Sequence, residues 1–341
     1  MRRSTFLAWH RRIALLFAPL LILQALTGAV LLFRAPLDRL IAGPPAAGPV
    51  LPAERLVVAA SASGKWVERL WMPAAQGDLA RVQLADAAGA RSLAAIDPVS
   101  GRIRREGGLA AFPAEAALQL HYRLMAGTTG LMIVAMTGLV LLAMAATGLA
   151  YWWPRNGHWA KALAINPRLP SRIRLRHWHR SIGVVAAVLI TVSAATGLLM
   201  AGADLAAAIA PGKALPARAG RHSPAEAEVR RAMALAKAAF PKARVRDLRF
   251  SPGGMMDANL LAPERNALAV HIVKVDLAQG RIVRTIRAQD NPALWMKVLP
   301  YHAGDAFGIT GRLVLLIEAL VLVGLGISGP VMWWQQGKRS K

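Results

Sequence analysis

Four of the eight histidines occupy matched positions in two halves of the chain, and neutral imidazole is the commonest metal ligand in proteins. The stretches WHRRI and WHRSI each place a histidine at the same spacing before a Thr-Gly dipeptide. The stretches HYRLMAGTTG and HAGDAFGITG each place a histidine at four identical offsets from two glycines, a threonine or serine, and a tryptophan. The matched offsets indicate a tandem duplication. Its four histidines are His10, His179, His121 and His302.

The duplication predicts that these histidines meet in two pairs. Two halves related by a pseudo-twofold axis bring equivalent residues together, which pairs His10 with His179 and His121 with His302. Paired imidazoles in a helix bundle are a setting for axial haem ligation. Because the chain has no cysteine, it cannot attach haem through a C-x-x-C-H motif, and any haem is bound noncovalently. A polar anchor at a membrane interface is the alternative interpretation of each histidine taken alone.

A small hydroxyl residue followed by glycine recurs once in each predicted membrane helix. Such residues would let a porphyrin approach the helix backbone, although small residues in membrane helices also serve direct helix packing. We expect each level of the bundle to receive histidines from two helices and these dipeptides from the other two. The dipeptides are Thr27-Gly28, Thr147-Gly148, Thr196-Gly197 and Ser328-Gly329.

His177, His222 and His271 have no partner in the repeat. His177 lies just before His179, and positions i and i+2 point about 200° apart on a helix, so only one of them faces the bundle. The repeat favours His179. His222 and His271 lie in the polar segments between the membrane helices, and the sequence leaves their role and that of His177 open.

Two charged residues, Arg312 and Glu318, lie within the fourth apolar segment, where charges are costly and usually paired or functional. They could pair with each other or with polar groups elsewhere. Alternatively, Arg312 binds a haem propionate, because a guanidinium can hold a carboxylate through two hydrogen bonds, and Glu318 relays protons. The position that matches Arg312 in the second segment is Leu131, so this cation comes from one half of the repeat.

The elements that must position these residues are membrane helices. The chain of 341 residues is 55% hydrophobic with a mean hydropathy of +0.38, which is too apolar for an ordinary soluble domain. A membrane helix needs roughly 20 apolar residues. The first candidate is longer than the apolar region of a signal peptide and lacks a cleavage pattern, so we expect it to be retained. The candidate segments are 13–33, 124–153, 181–203 and 307–334.

Charge predicts the topology of these helices. Residues 1–12, the loop 154–180 and the tail 335–341 contain 14 lysines and arginines and no aspartate or glutamate. Short basic loops face the cytoplasm, so both termini are predicted to be cytoplasmic. Seven of the ten tryptophans fall at the same boundary, as an interfacial belt would. Because topology accounts for much of the net charge of +24, we expect no nucleic-acid partner.

The segments between the first and second helices and between the third and fourth helices are polar. Each contains alternating strands and an Asp-x-x-x-Gly-Arg turn, which predicts two α+β domains on the outer side of a four-helix membrane protein with an internal twofold repeat. The predicted order is a first helix (1–35), an outer domain (36–118), a second helix (119–153), a basic loop (154–176), a third helix (177–204), a second outer domain (205–300), a fourth helix (301–334) and a tail (335–341).

The four helix segments, for example LHYRLMAGTTGLMIVAMTGLVLLAMAATGLAYWWPR, resemble the PepSY-associated transmembrane helix family, which includes bacterial siderophore-iron reductases. The strand turns of both outer segments resemble PepSY domains. The resemblance implies a protein of the bacterial inner membrane with two b-type haems, which passes electrons to iron complexes in the periplasm. The positions that match the family histidines are His10, His121, His179 and His302. Some relatives carry a fused flavoprotein domain, and we expect a separate cytoplasmic flavoprotein donor here.

The function predicted from the sequence is therefore a transmembrane ferric reductase. Electrons from the donor would reach ferric iron, held as a siderophore or another chelate, through a haem at each histidine pair. The alternative is a non-enzymatic protein that is anchored in the lipid bilayer and whose PepSY-like domains bind or inhibit a periplasmic partner. A third possibility, a subunit of an iron importer, has little support, because neither a discontinuous-helix signal nor a nucleotide motif is found in the sequence.

Overall fold

The computed structural model describes residues 3–154, 157–209, 224–266 and 268–337, which form two compact units. One unit contains four long helices, and the other contains a β-sheet with shorter helices. In chain order the elements are α1 (Arg3–Leu32), α2 (Arg34–Ala42), α3 (Ala53–Ser61), β1 (Trp66–Trp71), β2 (Ala80–Ala85), β3 (Arg91–Ile96), β4 (Ile103–Gly107), a 3₁₀ turn (Leu109–Ala111), α4 (Pro113–Arg123), α5 (Gly127–Trp152), α6 (Trp159–Leu163), α7 (Ser171–Ile209), α8 (Glu226–Ala239), β5 (Val245–Ser251), β6 (Met255–Leu261), β7 (Val270–Asp276), β8 (Arg281–Ile286), a 3₁₀ turn (Ala288–Asp290), α9 (Leu294–His302), a 3₁₀ turn (Asp305–Phe307) and α10 (Gly308–Gly337).

Four helices, α1, α5, α7 and α10, are long and apolar enough to cross a membrane. They make the chain a multi-pass membrane protein. Within their unit, α1 packs against α5 and α10, and α7 packs against the same two helices. Large apolar side chains such as Leu16, Val188 and Ile317 are exposed on the outside of this bundle, where lipid rather than protein would cover them.

The second membrane helix does not continue without a break over 119–153. The helix α4 ends at Arg123 and α5 begins at Gly127, because Leu124 and Met125 adopt positive φ angles of 48° and 56°. The same interruption separates α9 from α10, where Gly304 and Gly308 have φ angles of 76° and 60°. His121 and His302 therefore lie on short helices that precede the membrane-spanning ones.

The glycines of the two matched stretches make these interruptions possible. A Cβ atom added at Gly130 would lie 1.6 Å from the carbonyl oxygen of Arg123, and one added at Gly311 would lie 2.2 Å from that of Gly304. Both contacts are with backbone, which cannot rotate away as a flexible side chain could. The shared offset from each histidine to this glycine is thus a packing requirement of the interruption.

The polar segments form one eight-stranded antiparallel sheet with the strand order β4-β3-β2-β1-β5-β6-β7-β8. The prediction of two separate α+β domains is wrong in number, because β1 and β5 pair at the centre, with Leu70 opposite Leu248. Helices α3 and α8 pack together, and their residues share one hydrophobic core with strands of both segments. Joining the two half-sheets removes two exposed strand edges.

A buried carboxylate marks this central seam. Asp247 on β5 accepts hydrogen bonds from Arg69 on β1 at 2.9 Å, from Arg246 at 2.8 Å and from Asn259 on β6 at 2.8 Å. Burial alone would raise the pKa of Asp247, but the neighbouring arginines and their hydrogen bonds outweigh it, and the pKa is lowered. The ion pair stabilises the pairing of strands from the two segments.

Both Asp-x-x-x-Gly-Arg stretches form tight turns. The carbonyl oxygen of Asp97 accepts the N–H of Gly101 at 2.8 Å, and that of Asp276 accepts the N–H of Gly280 at the same distance. The φ angles of the two glycines, 72° and 59°, are in the left-handed region that side chains disfavour. These residues are therefore used for strand connection.

The side chain of Asp97 is fully buried and accepts several hydrogen bonds. Its oxygens contact the backbone N–H groups of Ala46 at 2.9 Å, Val99 at 3.0 Å and Ser100 at 3.2 Å, and Nη2 of Arg104 at 2.9 Å. Burial alone would raise the pKa of Asp97, but these donors favour the ionised form and lower the pKa to about 2.

Substitution of Gly311 by alanine should destabilise the bundle, because the new Cβ would collide with backbone at the interruption. We expect a loss of about 1–3 kcal/mol, the usual cost of overpacking, seen as a lower midpoint of thermal unfolding in detergent. Gly324→Ala in the same helix is the control, since an added Cβ there meets nothing within 4 Å. Equal midpoints for the two variants would contradict the packing role of Gly311.

Asp97 should make stability depend on pH under acidic conditions. Its folded pKa of about 2 is below the ordinary value of 3.8, so its contribution is complete above pH 4 and is lost as the pH falls towards 2. The shift corresponds to about 2 kcal/mol. Thermal midpoints measured from pH 6 to pH 2 should therefore fall more steeply for the wild type than for Asp97→Asn. Parallel pH profiles would show that Asp97 does not supply this dependence.

Candidate functional site

The structure brings the four repeat histidines together in two pairs. The ring centroids of His10 and His179 are 6.4 Å apart, and those of His121 and His302 are 6.1 Å apart. Each ring is partly buried. The ring planes are at 86° in the first pair and at 50° in the second, so neither pair is stacked face to face.

A hydroxyl group of a neighbouring helix holds each imidazole of the first pair. Nδ1 of His10 on α1 lies 3.3 Å from Oγ1 of Thr147 on α5. Nδ1 of His179 on α7 lies 2.7 Å from Oγ of Ser328 on α10. The first pair thus receives its histidines from α1 and α7 and its hydroxyl partners from α5 and α10.

The second pair uses the opposite ends of α1 and α7 together with the short helices α4 and α9. Nδ1 of His121 on α4 lies 3.2 Å from Oγ1 of Thr27 on α1. Nδ1 of His302 on α9 lies 2.9 Å from Oγ1 of Thr196 on α7. Each of the helices α1 and α7 therefore supplies a histidine to one pair and a threonine to the other.

Backbone carbonyl groups one turn before the hydroxyl residues add a second contact. Nδ1 of His10 lies 3.1 Å from the carbonyl oxygen of Met144, and Nδ1 of His121 lies 3.0 Å from that of Gln24. The backbone of Ser193 hydrogen-bonds His302 in the same way. A carbonyl oxygen only accepts, so Nδ1 is the donor in these contacts.

The hydroxyl groups lead to the same assignment. Oγ1 of Thr27, Thr147 and Thr196 each donates to a carbonyl oxygen of its own helix at 2.7 Å, which leaves the hydroxyl oxygen to accept from the imidazole. Ser328 likewise contacts the carbonyl oxygen of Leu325 at 3.3 Å. When Nδ1 carries the hydrogen of a neutral imidazole, Nε2 keeps its lone pair and can bind a metal.

The four glycines after the hydroxyl residues leave room for the rings. A Cβ atom added at Gly28 would lie 3.1 Å from Cε1 of His121, and one at Gly197 would lie 3.1 Å from Cε1 of His302. At Gly148 the corresponding distance to His10 is 3.3 Å, and at Gly329 it is 3.8 Å to His179. The glycines thus face imidazoles, and whether they also line a porphyrin stays a prediction.

The charged residues of the fourth membrane helix have partners other than each other. Arg312 donates from Nε and Nη2 to Oδ1 of Asp305 at 3.0 and 2.7 Å. Oε2 of Glu318 accepts a hydrogen bond from Oγ of Ser193 on α7 at 3.0 Å. Polar partners elsewhere in the chain are one alternative that the sequence predicts, and these partners are Asp305 and Ser193. Binding of a propionate by Arg312 stays a prediction.

The remaining histidines lie apart from the two pairs or outside the described residues. His177 has a buried Nδ1 atom with no hydrogen-bond partner among the described residues. His271 in β7 stacks on Phe240 with a centroid distance of 4.0 Å and accepts the N–H of Ala288. These contacts indicate a structural role for His271. His222 lies outside the described residues.

Sequence reasoning missed one contact beside the second pair. The hydroxyl of Tyr122, the neighbour of His121, donates a hydrogen bond to Asp204 on α7. Arg123 lies over the ring of Tyr122, with Cζ 4.8 Å from its centroid. The bond ties α4 to α7 next to the histidine. A tyrosine beside a repeat histidine was the available signal, but its partner is far away in the sequence.

The described residues contain no group of three or more His, Asp or Glu side chains placed to hold a metal ion. A porphyrin supplies four nitrogen atoms to its iron and leaves the two axial positions for protein side chains. The chemistry of the donor set, two neutral imidazoles, fits this group.

Four membrane-length helices and an α+β sheet unit define the chain as a multi-pass membrane protein with a PepSY-like domain. It belongs to the PepSY-associated TM region family, whose model matches residues 7–336. A comparison with curated protein sequences shows no match.

Alanine substitutions at two of the ring-facing glycines should change the thermal stability in opposite directions. Alanine stabilises a helix relative to glycine by about 1 kcal/mol, and at Gly329 the added Cβ would make an ordinary contact at 3.8 Å. At Gly197 the Cβ would lie 3.1 Å from His302 and displace the ring. We therefore expect Gly329→Ala to raise the thermal midpoint and Gly197→Ala to lower it. The same change for both variants would show that the contact with the ring has no structural consequence.

Proposed function

We propose that this chain is a diheme b-type reductase of the bacterial inner membrane, which passes electrons from a cytoplasmic donor to ferric iron in the periplasm. The iron is held by a siderophore or a similar chelate. The observation that carries the proposal is the presence of two histidine pairs with Nδ1 tied to a neighbouring helix and with ring centroids 6.4 and 6.1 Å apart.

The ring separation fits two axial ligands of one iron. A metal-bound imidazole nitrogen lies about 2.0–2.1 Å from its metal, and about 1.1 Å from the centroid of its own ring given the covalent bond lengths. Two imidazoles on opposite sides of one metal therefore place their centroids about 6.3 Å apart. The observed values of 6.4 and 6.1 Å match this expectation. Edge-to-face ring pairs occur at similar separations, so the spacing is compatible with ligation of one iron, and the proposal also rests on the tied Nδ1 atoms.

The two nitrogen atoms of each imidazole ring would have different roles. Nδ1 donates to a hydroxyl or carbonyl oxygen, which orients the ring and increases the basicity of Nε2. The chain's contribution would be to fix the tautomer, hold the two rings in place and exclude water from the space between them. Haem bound between such rings supplies one-electron redox chemistry, and its potential is set by ligands and surroundings of this kind.

The helix geometry places the two pairs at opposite ends of the bundle. The span from His10 to Thr27 on α1 is about 26 Å at a rise of about 1.5 Å per residue. Thr27 contacts His121, and on α7 the equivalent span runs from His179 to Thr196, which contacts His302. The two pairs thus lie almost one hydrocarbon thickness apart, as a path across the membrane requires. The matched geometry also supports the internal twofold repeat.

The basic loops support the proposed direction of electron transfer, from the cytoplasm to the periplasm. Arg174 and Arg176 in the first turns of α7 are exposed near His179, and no acidic residue interrupts this basic segment. Several tryptophans at the same level, including Trp9, Trp178 and Trp334, are about half exposed, as expected at a membrane interface. The segment would face the cytoplasm and attract an acidic flavoprotein donor. The sheet unit would then be periplasmic, where it would meet the iron chelate.

Haem content of the purified protein tests the proposal. After expression with ample haem, we expect a reducible b-type spectrum and two haems per chain in a pyridine haem assay. His179→Ala and His302→Ala should each lose one haem, because each removes a ligand of a different pair, and the two remaining spectra should differ.

His177→Ala is the matched control, since His177 lies two positions from His179 but outside the pair. It should keep both haems. A wild-type protein without haem would refute the proposal and leave the membrane-anchored binding protein as the alternative. Loss of haem in the control as well would point to a general folding defect.

A further inference from the structure

A carboxyl group without a counter-charge lies inside the bundle. Glu318 on α10 is 3% exposed. Its Oε2 atom accepts a hydrogen bond from Ser193, whereas Oε1 is buried and has no hydrogen-bond partner among the described residues. Among those residues Glu318 also forms no ion pair. Burial of an ionised carboxylate without a partner is costly, so the protonation of Glu318 depends on any positive charge close to it.

On the elements packed against Glu318, the charged group nearest to it along a helix is Arg312 of its own helix, about 9 Å away along the axis. Its helix packs against α1, α7 and the turn Asp305–Phe307. On α7 the nearest such residues to Ser193 are Arg180 and Asp204, about 20 and 16 Å away along the axis. On α1 they are His10, Arg11 and Arg12 at the far end, since Gly326 of α10 already contacts Ile22. Asp305 is paired with Arg312, which precedes Glu318 on the same helix.

Ser193 connects Glu318 to the second histidine pair. Its side chain donates to Glu318, and its backbone hydrogen-bonds His302. The titratable groups closest to Glu318 through bonded contacts are therefore His302 and, across the ring pair, His121. A change of charge at this pair would alter the electrostatic energy of an ionised Glu318, because the dielectric constant between them is low.

The fold does not require an acid at this position. In the repeat, Glu318 has the same offset from His302 as Thr137 has from His121. Thr137 is 1% exposed and donates to the carbonyl oxygen of Val134. A neutral hydroxyl thus fills the matched site, and only the second half has an ionisable group there.

The hydrogen-bond partner of Glu318 is also particular to one half. Counted from the repeat histidine at the start of each helix, the residue of α1 that matches Ser193 of α7 is Gln24. The side chain of Gln24 donates to the carbonyl oxygen of His121 at 3.4 Å. The first half therefore lacks both the acid and the hydroxyl that binds it.

We propose that Glu318 is a proton-binding site whose occupancy follows the redox state of the haem that His121 and His302 would hold. This inference rests on the proposed function. When one electron from the cytoplasmic donor reduces the iron that this pair would hold, the carboxylate of Glu318 would bind one proton from the solvent and become a carboxylic acid. When the electron passes to the ferric chelate, the proton is released. The ionised form is favoured while the pair is oxidised, because the oxidised centre carries one more positive charge.

Redox titrations at several pH values test the site. In the wild type we expect the midpoint potential of one of the two centres to fall as the pH rises, because protonation of Glu318 favours reduction. In Glu318→Gln this dependence should be lost for that centre, since glutamine keeps the shape and can bond Ser193 but cannot titrate. Thr137→Val, which removes the matched buried hydroxyl, should keep the wild-type dependence.

An infrared difference spectrum between reduced and oxidised protein gives a second readout. The C=O stretch of a protonated carboxyl should appear on reduction and be missing in Glu318→Gln. If that variant does not fold, Ser193→Ala serves instead: it removes the hydrogen bond to Oε2 and should shift the frequency of the same band. An unshifted band in Ser193→Ala would overturn the assignment to Glu318.

The outcomes separate the two proposals. A wild type without haem would refute the reductase and with it the coupling. Two haems per chain with the same pH dependence in the wild type and Glu318→Gln would overturn the proton site alone, and so would a carboxyl band that is unchanged in this variant.

Discussion

The hydrogen bond from histidine Nδ1 to a neighbouring helix is the interaction on which the bundle depends. It occurs four times, and each instance joins two different helices: α1 to α5, α7 to α10, α4 to α1 and α9 to α7. A polar ring between apolar helices is costly unless a partner satisfies it. The same bond that removes this cost also sets the tautomer and leaves Nε2 available. One contact therefore both satisfies the polar ring between the helices and leaves Nε2 with a free lone pair.

In the sheet unit, one strand pairing likewise satisfies the backbone groups of two strands. Each polar segment alone would end in an exposed central edge, and the pairing of β1 with β5 covers both edges. The buried Asp247 and its arginines reinforce the seam. The sheet thus joins two segments that are separated in the sequence by membrane helices.

The sequence predicted the membrane helices and the pairing of the four repeat histidines, because apolar length and repeat spacing can be read directly from the chain. The pairing of His10 with His179 and of His121 with His302 followed from the matched offsets alone. The helix interruption at Leu124 and Met125 was not predicted, since both residue types favour helices and the cause is the backbone contact at Gly130. The joined sheet was also missed. Strand pairing between residues such as Leu70 and Leu248 leaves no mark in either segment.

The sharing of α1 and α7 between both pairs has a consequence for how the chain can vary in length. Each of these helices presents a histidine at one end and a threonine towards the other, at the same spacing in both. One inserted residue would rotate the threonine by about 100° relative to the histidine and move it by about 1.5 Å. A single insertion in α1 would therefore disconnect one of the two pairs, whereas the interruptions before α5 and α10 separate histidine orientation from helix length. The uninterrupted helices α1 and α7 therefore fix the distance between the two histidine pairs.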